Sequence, residues 1–181
     1  VLGAYAGLRP LLEDTGSGAG QTSDVSRRHA VITIPGGPIS VVGGKLTTYR
    51  RMAQDAVDAA VAAGGLPAGA CRTARVPLVG AAPRAALAAV RAPARLVDRH
   101  GTEAPAILAL AGGDPALLEP VAGGLDVLGV EVLHAVRAEG ALDADDVLDR
   151  RTRIGLVAEH RERARATVEA LVAAGRQASP A

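Results

Sequence analysis

The residues best placed to do chemistry form one short run, Gly43-Gly44-Lys45-Leu46-Thr47-Thr48, between an apolar β-branched stretch and a helical pattern. Paired glycines let a backbone approach a ligand closely, and a helix start offers unpaired N–H groups carrying partial positive charge. One ammonium and two hydroxyls flank those amides. Lys45 is the single lysine among 20 basic side chains, the other 19 being arginine. Arg50 and Arg51 follow in the first helical turn, where the macrodipole disfavours a cation by about 0.3–1 kcal/mol each. That placement makes sense beside an anion. An ordinary tight strand-to-helix turn with solvent-facing arginines is the competing reading, and the residues alone weigh the two evenly. Arg9, just after an apolar stretch and before Pro10, is a second anion candidate, because a guanidinium fork suits bidentate contact with phosphate or carboxylate. A surface ion pair is the commoner use of such a residue. Arg27-Arg28-His29 is a short basic cluster of a kind usually found in solvated loops.

Other motifs fail on inspection. Gly16-Ser17-Gly18-Ala19-Gly20 ends in Gln21 where a dinucleotide fingerprint needs glycine, and neither a strand before it nor a helix after it is credible. A Walker A loop would need Gly at position 39 and Ser or Thr at 46, which are Ile39 and Leu46. His29, His100, His134 and His160 lie far apart and show no ligand spacing with Cys71 or with carboxylates, so no metal is expected. Each reads as a surface or half-buried histidine. Asp143, Asp145, Asp146 and Asp149 read as a cap and a solvated face against Arg150, Arg151 and Arg153, each pair worth only tenths of a kcal/mol.

The elements that must position these residues are legible from periodicity. Val1 to Leu8, without an initial Met, reads as a strand already inside a fold, so the chain is expected to be the latter part of a longer protein. Glu13 to Asp24 reads as a polar surface loop. Ala30–Ile34 and Ile39–Val42 flank Pro35-Gly36-Gly37-Pro38, a strand-turn-strand signal. Leu46, Tyr49, Met52 or Ala53, Ala56 or Val57, and Ala60 then recur at helical spacing, with Thr47 as the expected N-cap and Gly64-Gly65 as the stop. Residues 64–84 look like a connector. From residue 85 onward helical patterns run through 85–99 (interrupted at Pro93), 103–111, 115–119, 127–138, 144–153 and 158–175, with no strand alternation. Asp114-Pro115 is an N-cap followed by Pro at the first helical position, and Asp143 with Asp146 resembles a capping box. The expected class is α+β: a short strand and hairpin remnant in residues 1–63, a linker at 64–84, and an all-helical domain at 85–181.

Composition narrows the function. The chain has 181 residues, 49% hydrophobic, with a formal net charge of +1 and only two aromatic residues, Tyr5 and Tyr49. A near-neutral chain without stacking platforms argues against nucleic-acid binding. No apolar run approaches the roughly 18 residues of a membrane span, and no strongly basic amphipathic face favours lipid anchoring. A lone cysteine fits a reducing compartment, hence a cytoplasmic protein.

Three stretches carry a specific likeness. Tyr5-Ala6-Gly7-Leu8-Arg9-Pro10-Leu11, Ser26-Arg27-Arg28-His29 and Val41-Val42-Gly43-Gly44-Lys45-Leu46-Thr47-Thr48-Tyr49-Arg50 resemble the C-terminal part of the FAD-dependent glycerol-3-phosphate dehydrogenases. Asp145-Asp146-Val147-Leu148-Asp149-Arg150-Arg151-Thr152-Arg153 resembles a segment of that family's helical C-terminal domain. The resemblance implies a flavoprotein that oxidises sn-glycerol 3-phosphate to dihydroxyacetone phosphate and passes electrons to a quinone. It implies substrate binding by Arg9, Arg27 and Lys45, and contact of Gly43, Gly44, Lys45, Leu46, Thr47 and Thr48 with the flavin's pyrimidine edge. It also implies no catalytic base within these residues and no Gly-x-Gly-x-x-Gly fingerprint, so this chain alone is expected neither to turn over nor to hold FAD tightly. A homodimer and a peripheral contact with the inner face of the plasma membrane are compatible with it. Two rivals stand beside this reading. One is a non-catalytic helical interaction module. The other is a related FAD-dependent amine or amino-acid oxidase, which would ask for a carboxylate-binding Arg and Tyr rather than a phosphate cluster.

Overall fold

The computed structural model describes residues 3–8 and 28–177. β-Branched residues on either side of a Pro-Gly turn form an antiparallel hairpin of β1 (His29–Thr33) and β2 (Ile39–Gly43), with His29 opposite Gly43 and Val31 opposite Val41. The turn is closed by the Gly37 amide donating to the Ile34 carbonyl at 2.9 Å, with Pro35 leading and Gly36 at φ +69°. Those residues at those positions are what a type II turn asks for. A 3-10 turn at Leu46–Thr48 leads into α1 (Tyr49–Gly64), which stops at Gly65 in the left-handed conformation. A side chain there would be strained, so the expected Gly64-Gly65 stop has a conformational cause. The expected cap differs. Thr48, not Thr47, precedes α1, and its hydroxyl turns back to Lys45 instead of capping the helix.

The described residues divide into two compact units, one drawn from Ala6–Val76 and the other from Val1–Tyr5 with Pro77–Ala181. In the first, no residue between 28 and 76 is fully buried. Ile32, Ile34, Val41, Leu46, Tyr49 and Val57 are all exposed. A hairpin and one helix cannot between them exclude water from their apolar faces.

The second unit has a true core. Its helices are α2 (Arg84–Ala88), α3 (Ala94–His100), α4 (Ala104–Ala109), α5 (Gly129–Ala138) and α6 (Ala158–Gln177). α5 is buried almost all round, as a central helix should be. Val130 faces Leu96, Ala104 and Ile107, while Val132 and Ala135 face Val147, Leu148, Val168 and Val172. On α6 the buried positions Ala164, Val168, Val172 and Gly175 recur every three or four residues, giving one apolar stripe. A Cβ at Gly175 would stand 3.3 Å from Val136, so glycine here lets α6 approach α5 closely. The expected patterns at 144–153 and 115–119 are present as a single π-helical turn, Asp146–Arg151, and a 3-10 turn, Pro115–Leu118. The α+β class stands, with every helix after residue 84 in this second unit.

One expectation fails. Gly3 to Leu8 has no regular structure and no ladder partner, and its residues are exposed, so it is not a strand. Its N–H and C=O groups meet no neighbouring strand among the described residues, and an unpaired segment is not a strand whatever its propensity.

Candidate functional site

The Gly43–Thr48 corner is shaped by its own chemistry. Gly43 and Gly44 take φ +75° and +89°, a left-handed pair that L side chains avoid. Gly44 is also closely covered, since a Cβ there would lie 2.5 Å from the Met52 sulfur and 3.2 Å from the His29 Cβ. The glycines therefore serve the turn and the seating of α1 in the first place. After them the chain closes on itself. The Lys45 amide donates to the Thr48 hydroxyl at 3.2 Å, which donates to the Lys45 carbonyl at 2.9 Å, and the Thr48 amide donates to that same carbonyl. The Leu46 and Thr47 amides, first in the 3-10 turn, have no acceptor within that turn. Both residues are exposed, Leu46 at 89% of its free surface. Among the described residues no carboxylate pairs with Lys45, which is exposed as well. The corner thus carries an ammonium and two backbone donors on exposed residues, a donor set whose chemistry suits the electron-rich pyrimidine edge of a flavin.

The neighbouring arginines do something else. Arg50 donates to Gln54 at 2.9 Å and to Thr73 at 3.1 Å, and Arg51 pairs with Asp55 at 2.9 Å. Their first-turn placement is thereby answered by local partners on α1 and its connector, so they need no external anion. His29, half-buried, bonds Asp55 at 2.8 Å and ties β1 to α1. That bond, assisted by Arg51 and opposed by burial, holds the Asp55 carboxyl below its usual range. Arg9 and Arg27 lie outside the described residues, as does the Gly16–Gly20 run.

In the helical unit a second cluster is brought together that the sequence kept apart. Glu131 is 3% exposed and accepts from the Arg95 guanidinium at 2.8 and 3.2 Å and from the Leu128 amide at 2.9 Å, with Arg99 at 3.4 Å. The Leu128 contact caps α5, with Glu131 at its third position. Beside it His100 and His134 meet edge to face, ring centroids 5.1 Å apart. His100 Nε2 is buried without a hydrogen-bond partner, and its distance of 3.8 Å to Glu131 is too long for one. Leaving such a nitrogen unmatched costs about 1–3 kcal/mol. Burial first, then the neighbouring His134 and Arg99, push the His100 imidazole below its ordinary value. Residues 34 positions apart give no local signal, which is why the pair was illegible.

The acidic run near 145 also differs from the expectation of purely local pairs. Asp146 does pair with Arg150 one turn on, and it accepts from the Leu142 amide at 2.8 Å. Asp145 and Asp149, however, reach Arg161 and Arg165 on α6. Arg161 chiefly, against a burial penalty, holds the Asp149 carboxyl below its usual range. No helix among the described residues is long and apolar enough to cross a membrane.

Residues 71–179 match the family model described as the C-terminal domain of alpha-glycerophosphate oxidase. Glycerol-3-phosphate dehydrogenase 1 of Mycobacterium tuberculosis is 52% identical over 167 residues, covering 90% of this chain and 32% of that protein. Glycerol-3-phosphate dehydrogenase 2 of the same organism is 42% identical over 171 residues, covering 88% of this chain and 29% of that protein. The mitochondrial glycerol-3-phosphate dehydrogenase of Mesocricetus auratus is 48% identical over 73 residues, 40% of this chain and 10% of that protein. The chain spans about a third of the length of these mycobacterial relatives. With the family model matching more than half of its residues, the chain belongs to the family defined by the C-terminal domain of alpha-glycerophosphate oxidase.

Proposed function

We propose that this chain serves an FAD-dependent glycerol-3-phosphate dehydrogenase that oxidises sn-glycerol 3-phosphate to dihydroxyacetone phosphate and delivers the electrons to quinone. The observation that carries the proposal is the set of donors on exposed residues of the Gly43–Thr48 corner, in a chain half identical over nine-tenths of its length to a protein named glycerol-3-phosphate dehydrogenase. Bound FAD would supply the hydride acceptor. Gly43, Gly44, Lys45, Leu46, Thr47 and Thr48 would hold its pyrimidine edge, with the Leu46 and Thr47 amides and the Lys45 ammonium set where negative charge gathers. Such preorganised donors stabilise charge that develops during reaction without having to reorient. Arg9, Arg27 and Lys45 would bind the substrate phosphate, and a cytoplasmic protein in peripheral contact with the membrane would suit the quinone. The exposed apolar faces of the hairpin and α1 support the same reading, because they are what a larger flavin-binding domain would cover.

The test is kinetic. In the full-length enzyme, Lys45→Ala should lower kcat/KM for glycerol 3-phosphate by about 10²-fold, the usual effect of losing one charge-stabilising donor. Arg9→Ala should raise KM. Wild-type kinetics in both variants would sink the site assignment. Supplying an N-terminal FAD domain in trans separates this reading from that of a helical interaction module, since only an enzyme part restores glycerol 3-phosphate oxidation.

A further inference from the structure

We infer that His100, His134 and Glu139 form a binding site for a divalent ion of the zinc class that ties the end of α3 to the end of α5. One ligand atom from each of the three residues lies within 4.8 Å of the other two. Two imidazoles and one carboxylate are a zinc-type donor set, with a fourth position left for water. The three residues come from two helix ends. His100 ends α3, His134 sits on the last turn but one of α5, and Glu139 immediately follows α5.

An independent observation points to a ligand. The His100 side chain is 91% buried, and its Nε2 has no hydrogen-bond partner among the described residues. The near carboxylate, Glu131, cannot serve it. Its oxygens are taken by Arg95, by Arg99 and by the Leu128 amide. An ion between the imidazoles would accept that lone pair and convert an unmatched nitrogen into a bonded one. At metal–ligand distances of about 2.0–2.2 Å, ligand atoms stand roughly 3.3–3.5 Å apart, so closing the site needs a movement of about 1 Å. Glu139 can supply it. Its side chain is a third exposed and stands 3.9 Å from His134 Nε2. Its backbone is meanwhile anchored, because Arg151 donates twice to the Glu139 carbonyl, at 3.0 and 2.8 Å. Of the charged groups around the site, Arg95 and Arg99 are paired with Asp126 and Glu131, and Arg151 is bound to the Glu139 backbone carbonyl, which leaves the Glu139 carboxylate to face the ion.

The experiment uses zinc alone, titrated into the whole chain carrying Cys71→Ser, which removes the exposed thiol. Competition against a chromophoric chelator should show stoichiometric binding, and zinc should raise the thermal midpoint. His134→Ala and Glu139→Gln, both at partly exposed positions, should each weaken binding at least about tenfold and abolish the shift in midpoint. They carry the test should His100→Ala fail to fold. In the chain with Cys71 intact, bound cobalt should show visible d–d bands of a nitrogen and oxygen site without a thiolate charge-transfer band. A thiolate band, binding unchanged in His134→Ala, or no zinc binding by a chain with native circular dichroism would each overturn the assignment.

Discussion

Replacing Glu131 tests whether the helical unit is organised around a buried charge or around its apolar core alone. Glu131→Ala removes three things at once: the cap on the Leu128 amide, both Arg95 contacts and the contact with Arg99. Losing a cap costs about 1 kcal/mol. Stripping one partner from a buried ion pair costs about 3–5 kcal/mol, because the other charge stays desolvated. Arg95 is 24% exposed in its side chain and keeps Asp126, which moderates the second figure. We expect a combined loss of about 3–5 kcal/mol. Glu131→Gln keeps the volume and an acceptor for Leu128, and should lose about 1–3 kcal/mol.

The assay is urea unfolding followed by helical ellipticity, the natural probe for a helix-rich chain with no tryptophan. For a slope of about 2 kcal/mol per molar urea, the Ala variant should unfold roughly 2 M earlier. A cycle with Arg95→Ala isolates the pair. The double variant should be less damaged than the two singles together by at least about 1 kcal/mol, since removing both charges leaves neither stranded. Simple additivity, or a Glu131→Ala midpoint equal to wild type, would refute the claim that this carboxylate organises α3 and α5.

Acid should unfold the helical unit through the aspartates that face arginine. Asp146 and Asp149 titrate below the ordinary range in the folded chain, Asp146 chiefly through the Leu142 amide and Asp149 chiefly through Arg161. Their contribution is therefore complete above an unfolded pKa of about 3.9 and is lost as pH falls through the lower folded values. Urea midpoints against pH should show Asp149→Asn less stable than wild type at neutral pH and converging on it in acid; a constant difference across the pH range would remove Asp149 from the account. Leu148→Ala, at a site with no exposed surface in the core between α5 and α6, should cost about 2–5 kcal/mol by chemical denaturation. A loss under 1 kcal/mol would mean that the π-helical turn relaxes to fill the space.

Local signals were read correctly where the physics is local. Asp114 caps the turn at Pro115 by accepting from the Ala116 amide at 2.9 Å, as its type and spacing indicate. Asp143 likewise accepts from the Asp146 amide at 2.8 Å. The return half of that expected box is displaced by one residue, because Asp146 accepts from Leu142 and not from Asp143. What sequence could not deliver were pairings that depend on how helices cross. The reach of Asp145 to Arg161 and Arg165, 16 and 20 residues on, and the meeting of His100 with His134 follow from packing, not from spacing. The strand expected before residue 9 failed for a related reason. β-propensity describes fit to a pleated neighbour, and no strand pairs with that segment among the described residues.

The corner at Gly43–Thr48 shows how one sequence feature can answer two demands. Its glycines are required by positive φ and by the Met52 sulfur over Gly44, so their presence alone says nothing about a ligand. Its arginines are consumed by Gln54, Thr73 and Asp55. Subtracting those structural uses leaves Lys45 and the Leu46 and Thr47 amides, all on exposed residues. Leu46 is nearly fully exposed although apolar, and burying such a side chain is worth about 1.5–3 kcal/mol. A surface that combines unspent donors with an unburied leucine is better matched by a partner with a polar edge and a flat apolar face than by water. An isoalloxazine ring has both, which is why the flavin reading rests on what remains at the corner after folding has taken its share.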